Sequence, residues 1–468
     1  MDWDMLAEGQ LPSDVLTWDS LSYPVSIYLV GLCCHAMAIN SDERYRVPLV
    51  LAFVAIGLEL ERYISGMQLS YALKDTPLKF VAVHVMGSVI MVLWEKLVLT
   101  EEQKGLPWRA RLRATYKTMW NGRFINTTRQ APVYHLLRGQ ESRELISRDE
   151  DEPMAEAAAT KEESIAERYA TVPNETAEES PEGTGNILPD IRVSDEGAIL
   201  NATPPNGTRI DDSPIGFLKP RSRWLIHSAL HLGLLFVLDA IIQGVFARYG
   251  SYSIEAVTLD KTVSIRRLLR NKVAAEEWTA RSQYAFEAYW AAYNWYTRLH
   301  LACALFFVGT GVDDPDEWPP AFGDVGEAYT LRRFWSKYYD RLIYRTVSGW
   351  GEIIMRGVGM GPRPYRRWKR WMLNGVIFLV SGVFHAQTDY LAGFGCGYWE
   401  EVAWWMYNFF AICGEAVFLA AFERWCPRFY GAMSGRAGRA LGYLWVFAFH
   451  FWSKPKQQYV AIWCPSRF

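Results

Sequence analysis

Eight stretches of this chain read as helices apolar enough to cross a membrane. They constrain the fold more than any other feature. A crossing helix needs about 20 mainly apolar residues. The candidates are residues 23–40, 47–63, 78–99, 224–246, 286–312, 372–392, 402–422 and 440–452. Several are short or carry polar residues, so the count is about eight, and many begin or end near Trp or Tyr, as at a bilayer interface. The mean hydropathy of -0.06 conceals these runs because an acidic stretch dilutes them. That stretch, residues 139–212, contains "SRDEDEP" and "KEESIAER", has no Phe or Trp, and holds a single Tyr. It buries too little apolar surface to offset chain entropy and is expected to be a disordered cytosolic spacer. The expected architecture is all-α and polytopic: membrane helices in 1–138, the acidic insert in 139–212, and further membrane helices in 213–468.

Lys and Arg set the sidedness. The connection after the third span opens on "WRARLRATYK" and closes on "LKPRSRW", which fits the cytosol. The connection "AGFGCGYWEE" has no basic residue and fits the lumen, whereas Arg424, Arg428, Arg436 and Arg439 return the next one to the cytosol. Alternation then puts residues 250–283 in the lumen. That loop nevertheless carries Lys261, Arg266, Arg267, Arg270, Lys272 and Arg281, so either a span is miscounted there or the charges ride an interfacial helix. If the insert is cytosolic, its sequons at Asn126, Asn174, Asn201 and Asn206 carry no glycan. The acidic N-terminus, "MDWDMLAEGQ", lacks the basic start of a cleaved signal peptide. A net charge of -2 gives no global argument for nucleic acid. The seven cysteines are scattered without a CxxC pair and support neither a zinc site nor a disulfide framework.

Chemistry concentrates in "NGVIFLVSGVFHAQTDY", residues 374–390. Residues eleven apart on a helix differ by about 20° in azimuth, so Asn374 and His385 share a face, with Ser381 one turn before His385 and Asp389 one turn after. Polar groups in membrane helices are costly and usually face a bundle interior or a wet cavity. The plainer reading is interhelical hydrogen bonding. The preceding segment supplies a second ingredient. From residue 328 to 371 there are eleven Lys or Arg and only two acids, Asp340 and Glu352. Arg332, Arg333, Trp335 and Lys337 mix cations with an aromatic ring, a combination suited to a phosphorylated, adenine-bearing donor. Retention of positive charge on the cytosolic side, with Trp and Tyr as anchors, explains "PRPYRRWKRW" better than ligand binding does, and explains "LRRFWSKYYDR" about equally well.

The run "WPPAFGDVGEAYTLRRFWSKYYDR", followed by "FLVSGVFH", resembles the wax synthase-like branch of the membrane-bound O-acyltransferases. It is most similar to fungal members that acetylate terpenoid and meroterpenoid alcohols. The specific match runs from about Trp318 to Asp389. The resemblance implies an acyl-CoA-dependent O-acyltransferase of the endoplasmic reticulum membrane. Its co-substrate would be acetyl-CoA, its acceptor a lipophilic alcohol, and it would hold neither a permanent cofactor nor a metal. His385 falls on the family's catalytic histidine. Asp340 stands where the family usually carries His or Asn, and either orients His385 or is structural. A hydroxyl attacks a thioester well only as its proton is removed, and an imidazole suits that task near neutral pH. Asn374 is the candidate donor to the developing oxyanion.

Other readings compete. A long-chain wax ester synthase would differ only in donor length. A di-iron hydroxylase would use His227 and His231, but the six other histidines look isolated in sequence. A diphosphate-binding prenyltransferase would need a partner for "DDPDEW", which otherwise reads as a solvated turn or helix cap. A transporter would explain Glu59, Asp239, Asn294 and His385, but the chain lacks two halves of similar hydropathy.

Overall fold

The computed structural model describes residues 18–67, 69, 71–121, 220–270, 272–339, 343–360, 367–427 and 435–463. The acidic stretch 139–212, the four sequons and Asp340 lie outside the described residues.

The described residues are helical, with no extended strand. The long elements are α1 (Trp18–Asn40), α2 (Glu43–Gly66), α3 (Tyr71–Ser88, continuing as a π-helical turn, Val89–Trp94), α4 (Trp108–Met119) and α5 (Pro220–Tyr249). They continue with α6 (Ala275–Gly309), α7 (Tyr344–Gly357), α8 (Arg367–Ala392), α9 (Tyr398–Trp425) and α10 (Arg436–Ile462). Each stretch expected to cross the membrane lies within, or largely overlaps, one of these helices. Four are long and apolar enough to cross on length and composition: α1, α3 with its π turn, α5 and α9. The other four, α2, α6, α8 and α10, carry more charge along their length.

Two boundaries moved furthest, by ten residues or more. α6 begins at Ala275 rather than near residue 286, so Arg281 lies inside a helix and not in a loop. Its first turn carries Glu276 and Glu277, which favour a helix start. One turn on, Arg281 pairs with Glu277 at 3.1 Å, both buried. The basic 250–283 loop is therefore shorter than its sequence implied, with Ser264–Leu268 forming a short helix of its own. α10 runs on to Ile462 through Pro455, whose missing N–H costs one helical hydrogen bond.

α8 is the hub. It packs most extensively on α9, and also on α7 and α3, while α10 packs on both α6 and α9. The closeness of α8 to α9 is dictated by glycine. A Cβ on Gly382 would stand 3.1 Å from Trp405 Cβ and 3.2 Å from Val402 Cα, tighter than ordinary contact. The glycine of the Ser-Gly-x-x-His run is thus where the two helices nearly touch, three residues before His385. The cysteines gave no hint of pairing, yet Cys396, in the short α8–α9 connection, is disulfide-bonded.

Candidate active site

His385 is half-buried on α8 and stacks on Trp405 of α9, with ring centroids 4.9 Å apart and an interplanar angle of 21°. Trp405 is held in turn. Its indole N–H donates to Glu401 Oε1 at 3.0 Å, one turn earlier on α9. The other Glu401 oxygen accepts from Gln457 Nε2 of α10. Gln457 Oε1 accepts from Lys454 Nζ at 2.8 Å, and that ammonium also sits 3.6 Å from the centroid of the Trp404 ring. A chain of polar groups from α10 thereby fixes the ring that lies against His385.

A second set of charges flanks the same stretch of α8. Asp389 accepts from Tyr71 Oη at 3.0 Å, and Lys79 Nζ lies 3.9 Å from Asp389 and 2.7 Å from Asp75. Lys79 and Lys454 are both close enough to act electrostatically on His385. Charges held in a largely buried, aromatic setting are costly unless paired. Their gathering around one half-buried imidazole is what marks this as the candidate site.

The segment 331–338 leads toward this imidazole. Leu331–Arg333 forms one helical turn and Phe334–Tyr338 a π-helical one. The backbone N–H of Leu331 donates to Glu415 at 2.8 Å, and Trp335 Nε1 donates to Asn408 Oδ1 at 3.0 Å. The segment therefore descends α9 by about two turns toward Trp405, which Trp335 reaches at 5.0 Å between centroids. Gly323 allows the tight turn, because a side chain there would overlap the Lys337 carbonyl, and its own N–H donates to the Tyr338 carbonyl. Burial, with a smaller contribution from Tyr293, pushes the Tyr338 phenol up to about 12, so it stays a neutral donor at physiological pH.

The sequence-expected site residues fare differently. His385 and Trp335 meet around Trp405. Trp335 belongs to the interior wall and not to a surface patch for adenine, since its indole N–H is bonded and its ring packs on Tyr339, Phe378 and Trp405. Arg333 is paired with Glu327 and lies over the Tyr329 ring, and Lys337 is 3.8 Å from Glu327. Arg332 is exposed. Asn374 is not brought to His385: it is exposed, and eleven residues of continuous helix set it about 16 Å away along the axis. A shared azimuth is not proximity, and the structure leaves Asn374 apart from His385.

Three histidines that look isolated in sequence are not. His35 Nδ1 and His84 Nε2 are 3.2 Å apart, and His450 Nδ1 is 2.7 Å from Tyr289 Oη. Glu401, Lys454, Gln457 and His450 escaped sequence reasoning. Only a weak signal pointed to the last three: polar residues one turn apart in "HFWSKPKQQ", at the end of an apolar run. His227 and His231 are exposed on α5, and no metal-holding group of residues occurs among the described residues. "DDPDEW" is a cap and an ion-pair node. Asp314 and Glu317 form a capping box, Lys117 pairs with Asp313 at 2.9 Å, and Arg221 pairs with Asp314 at 2.6 Å. Burial and then Asp313 push the nearby Tyr116 phenol above its usual range.

Comparison with known proteins converges on the same segment. Residues 318–412 match the model of the membrane bound O-acyl transferase family. Among curated proteins, acetyltransferase spyB of Aspergillus fumigatus is 32% identical over 26% of this chain and 21% of its own length. Acetyltransferase ataH of Aspergillus terreus is 29% identical over 33% of this chain and 50% of its own. Acetyltransferase eriL of Hericium erinaceus is 27% identical over 38% of this chain and 45% of its own. The matches thus span half or less of these relatives' lengths. No solved structure matches the chain. The segment that carries His385, the Trp335 turn and Trp405 is thus the part of the chain that matches the membrane bound O-acyl transferase family model, and the chain is similar to fungal acetyltransferases.

Proposed function

We propose that this protein transfers an acetyl group from acetyl-CoA to a hydroxyl of a lipophilic alcohol of the terpenoid or meroterpenoid type, within the endoplasmic reticulum membrane. The observation that carries this reading is the environment of His385. The imidazole is neither exposed to lipid on all sides nor sealed in, and it is stacked on an anchored indole within the family segment.

His385 takes the proton of the acceptor hydroxyl as its oxygen attacks the thioester carbonyl. The carbon–oxygen bond forms, the carbon–sulfur bond breaks, and the proton passes to the departing CoA thiolate. General-base assistance of this kind contributes about 10²–10⁴-fold. The imidazolium formed midway lies against the Trp405 face, which favours a cation electrostatically. Asp340 remains a proposal from sequence alone, as the residue that orients His385. CoA phosphates approach along the basic 331–338 segment, with exposed Arg332 their first contact and Arg333 and Lys337 exchanging Glu327 for phosphate. The acceptor arrives from the bilayer.

We read the full chain as crossing the membrane about eight times. The domains follow the division at 138 and 212, and the acidic insert is a cytosolic spacer. The disulfide-bonded Cys396 supports a luminal α8–α9 connection, because disulfides persist in oxidising compartments.

The test is transfer of radiolabelled acetyl from acetyl-CoA to a panel of lipophilic alcohols by membranes bearing the protein, with palmitoyl-CoA in parallel. The wild type is expected to form acetyl esters, and His385→Ala to lose them by at least about a hundredfold. Unchanged ester formation in His385→Ala would sink the mechanism, and a preference for palmitoyl-CoA would favour a wax ester synthase.

A further inference from the structure

The transferase reading leaves one buried group beside the site without a task. His450, on α10, is only 3% exposed. Its Nδ1 is engaged by Tyr289 Oη at 2.7 Å, but its Nε2 is fully buried with no hydrogen-bond partner among the described residues. The walls around it are aromatic: Tyr289 at 4.5 Å, Phe334 and Phe449 each at 5.2 Å, and Trp404 at 6.5 Å between ring centroids. Phe334 precedes Trp335 in the segment that leads to His385. Trp404 packs edge-on against Trp405, 5.4 Å away, and Trp405 is the ring on which His385 stacks. The two imidazoles therefore border one continuous aromatic wall.

An unmet buried polar atom is costly, and a native protein rarely keeps one without a reason. A neutral imidazole with one nitrogen occupied presents the other as either a donor or an acceptor, according to tautomer. Set in an aromatic box, it suits a single oxygen function on an otherwise apolar body. The reacting hydroxyl is already assigned to His385, so His450 is left for a different oxygen of the same molecule.

We propose that His450 Nε2 anchors a second oxygen, a hydroxyl or a carbonyl, on the acceptor alcohol, and so selects apolar acceptors bearing two oxygen functions over those bearing one. This inference rests on the transferase reading and deepens it. Tyr289 is the positioning residue, holding the ring through Nδ1. A site built to hydrogen-bond a substrate oxygen discriminates strongly against the analogue that lacks it, because the buried group is then left unpaired.

The experiment compares steroidal and linear terpenoid diols, each matched with the mono-ol lacking the second oxygen, as acceptors for radiolabelled acetyl from acetyl-CoA. For the wild type, kcat/KM is expected to favour at least one diol over its mono-ol by about tenfold or more. His450→Phe is expected to bring that ratio near one, His450→Gln to restore part of it, and Tyr289→Phe to lower it less. A purely structural His450 would lower both substrates in proportion and leave the ratio intact, which overturns the proposal. A wild type with no diol preference overturns it equally. If His450→Phe does not fold, the ratio in His450→Gln and Tyr289→Phe decides. No acetyl transfer to any alcohol by the wild type would instead remove the transferase reading itself.

Discussion

Two histidine clusters sit in different parts of this molecule, and their contrast separates packing from chemistry. In the N-terminal helices, Tyr28 Oη lies 2.7 Å from His84 Nδ1, and His84 Nε2 lies 3.2 Å from His35 Nδ1, among Phe53, Phe80 and Trp120. These neutral groups hydrogen-bond to one another. Among the described residues, none of the trio's hydrogen bonds reaches a charged side chain. The cluster between α8, α9 and α10 is also aromatic, but its polar chains end on charge: Trp405 on Glu401, Gln457 on Lys454, Tyr71 on Asp389. The trio meets its hydrogen bonds with neutral groups, apart from His35 Nε2, which is buried and without a partner among the described residues. Buried carboxylates and ammonium groups cost several kcal/mol unless paired, so a concentration of them argues for a task.

The contrast can be broken most decisively at the helix crossings. Gly382→Leu inserts a side chain where α8 meets Trp405 and Val402, and displaces the ring under His385. A misplacement of about 1 Å can cost about a hundredfold in turnover, the loss expected in kcat per folded molecule. Gly57→Leu, which crowds Val85 between α2 and α3, is expected to lower the thermal midpoint while leaving kcat per folded molecule in place. Equal losses of kcat in the two variants would erase the distinction between the regions.

A smaller effect is expected in the N-terminal trio. His35→Phe keeps an aromatic ring but leaves His84 Nε2 without its partner, a destabilisation of about 1–3 kcal/mol with turnover unchanged. Denaturation of detergent-solubilised protein beside an acetyl-transfer assay checks both halves. The smallest effect sharpens the picture of the donor path. Arg332→Ala is expected to raise the KM for acetyl-CoA about two- to fivefold, more at low salt than at high, as befits an exposed cation. Arg333→Ala is expected to change it less, because Arg333 already pairs with Glu327.

The helical character, the approximate position of eight of the ten long helices and the prominence of His385 were legible in the sequence, whereas α4 and α7 were not. The legible features rest on hydropathy and on a polar residue in an apolar run, both properties of local sequence. The Leu-Arg-Arg-Phe-Trp and Ser-Gly-x-x-His pieces were legible for the same reason, although the task of Gly382 was not. Which residues meet His385 depends on how the helices pack. Trp405 and Glu401 come from the next helix, and Gln457 and Lys454 from the one after, so no spacing within a single helix discloses them. The tertiary structure also separated Asn374 from the site: a helix repeats its azimuth every few turns, but it advances 1.5 Å per residue, so two residues on one face need not share a neighbourhood. Side-chain charge at depth has meaning only once its partners are known, and the partners are set by how helices cross.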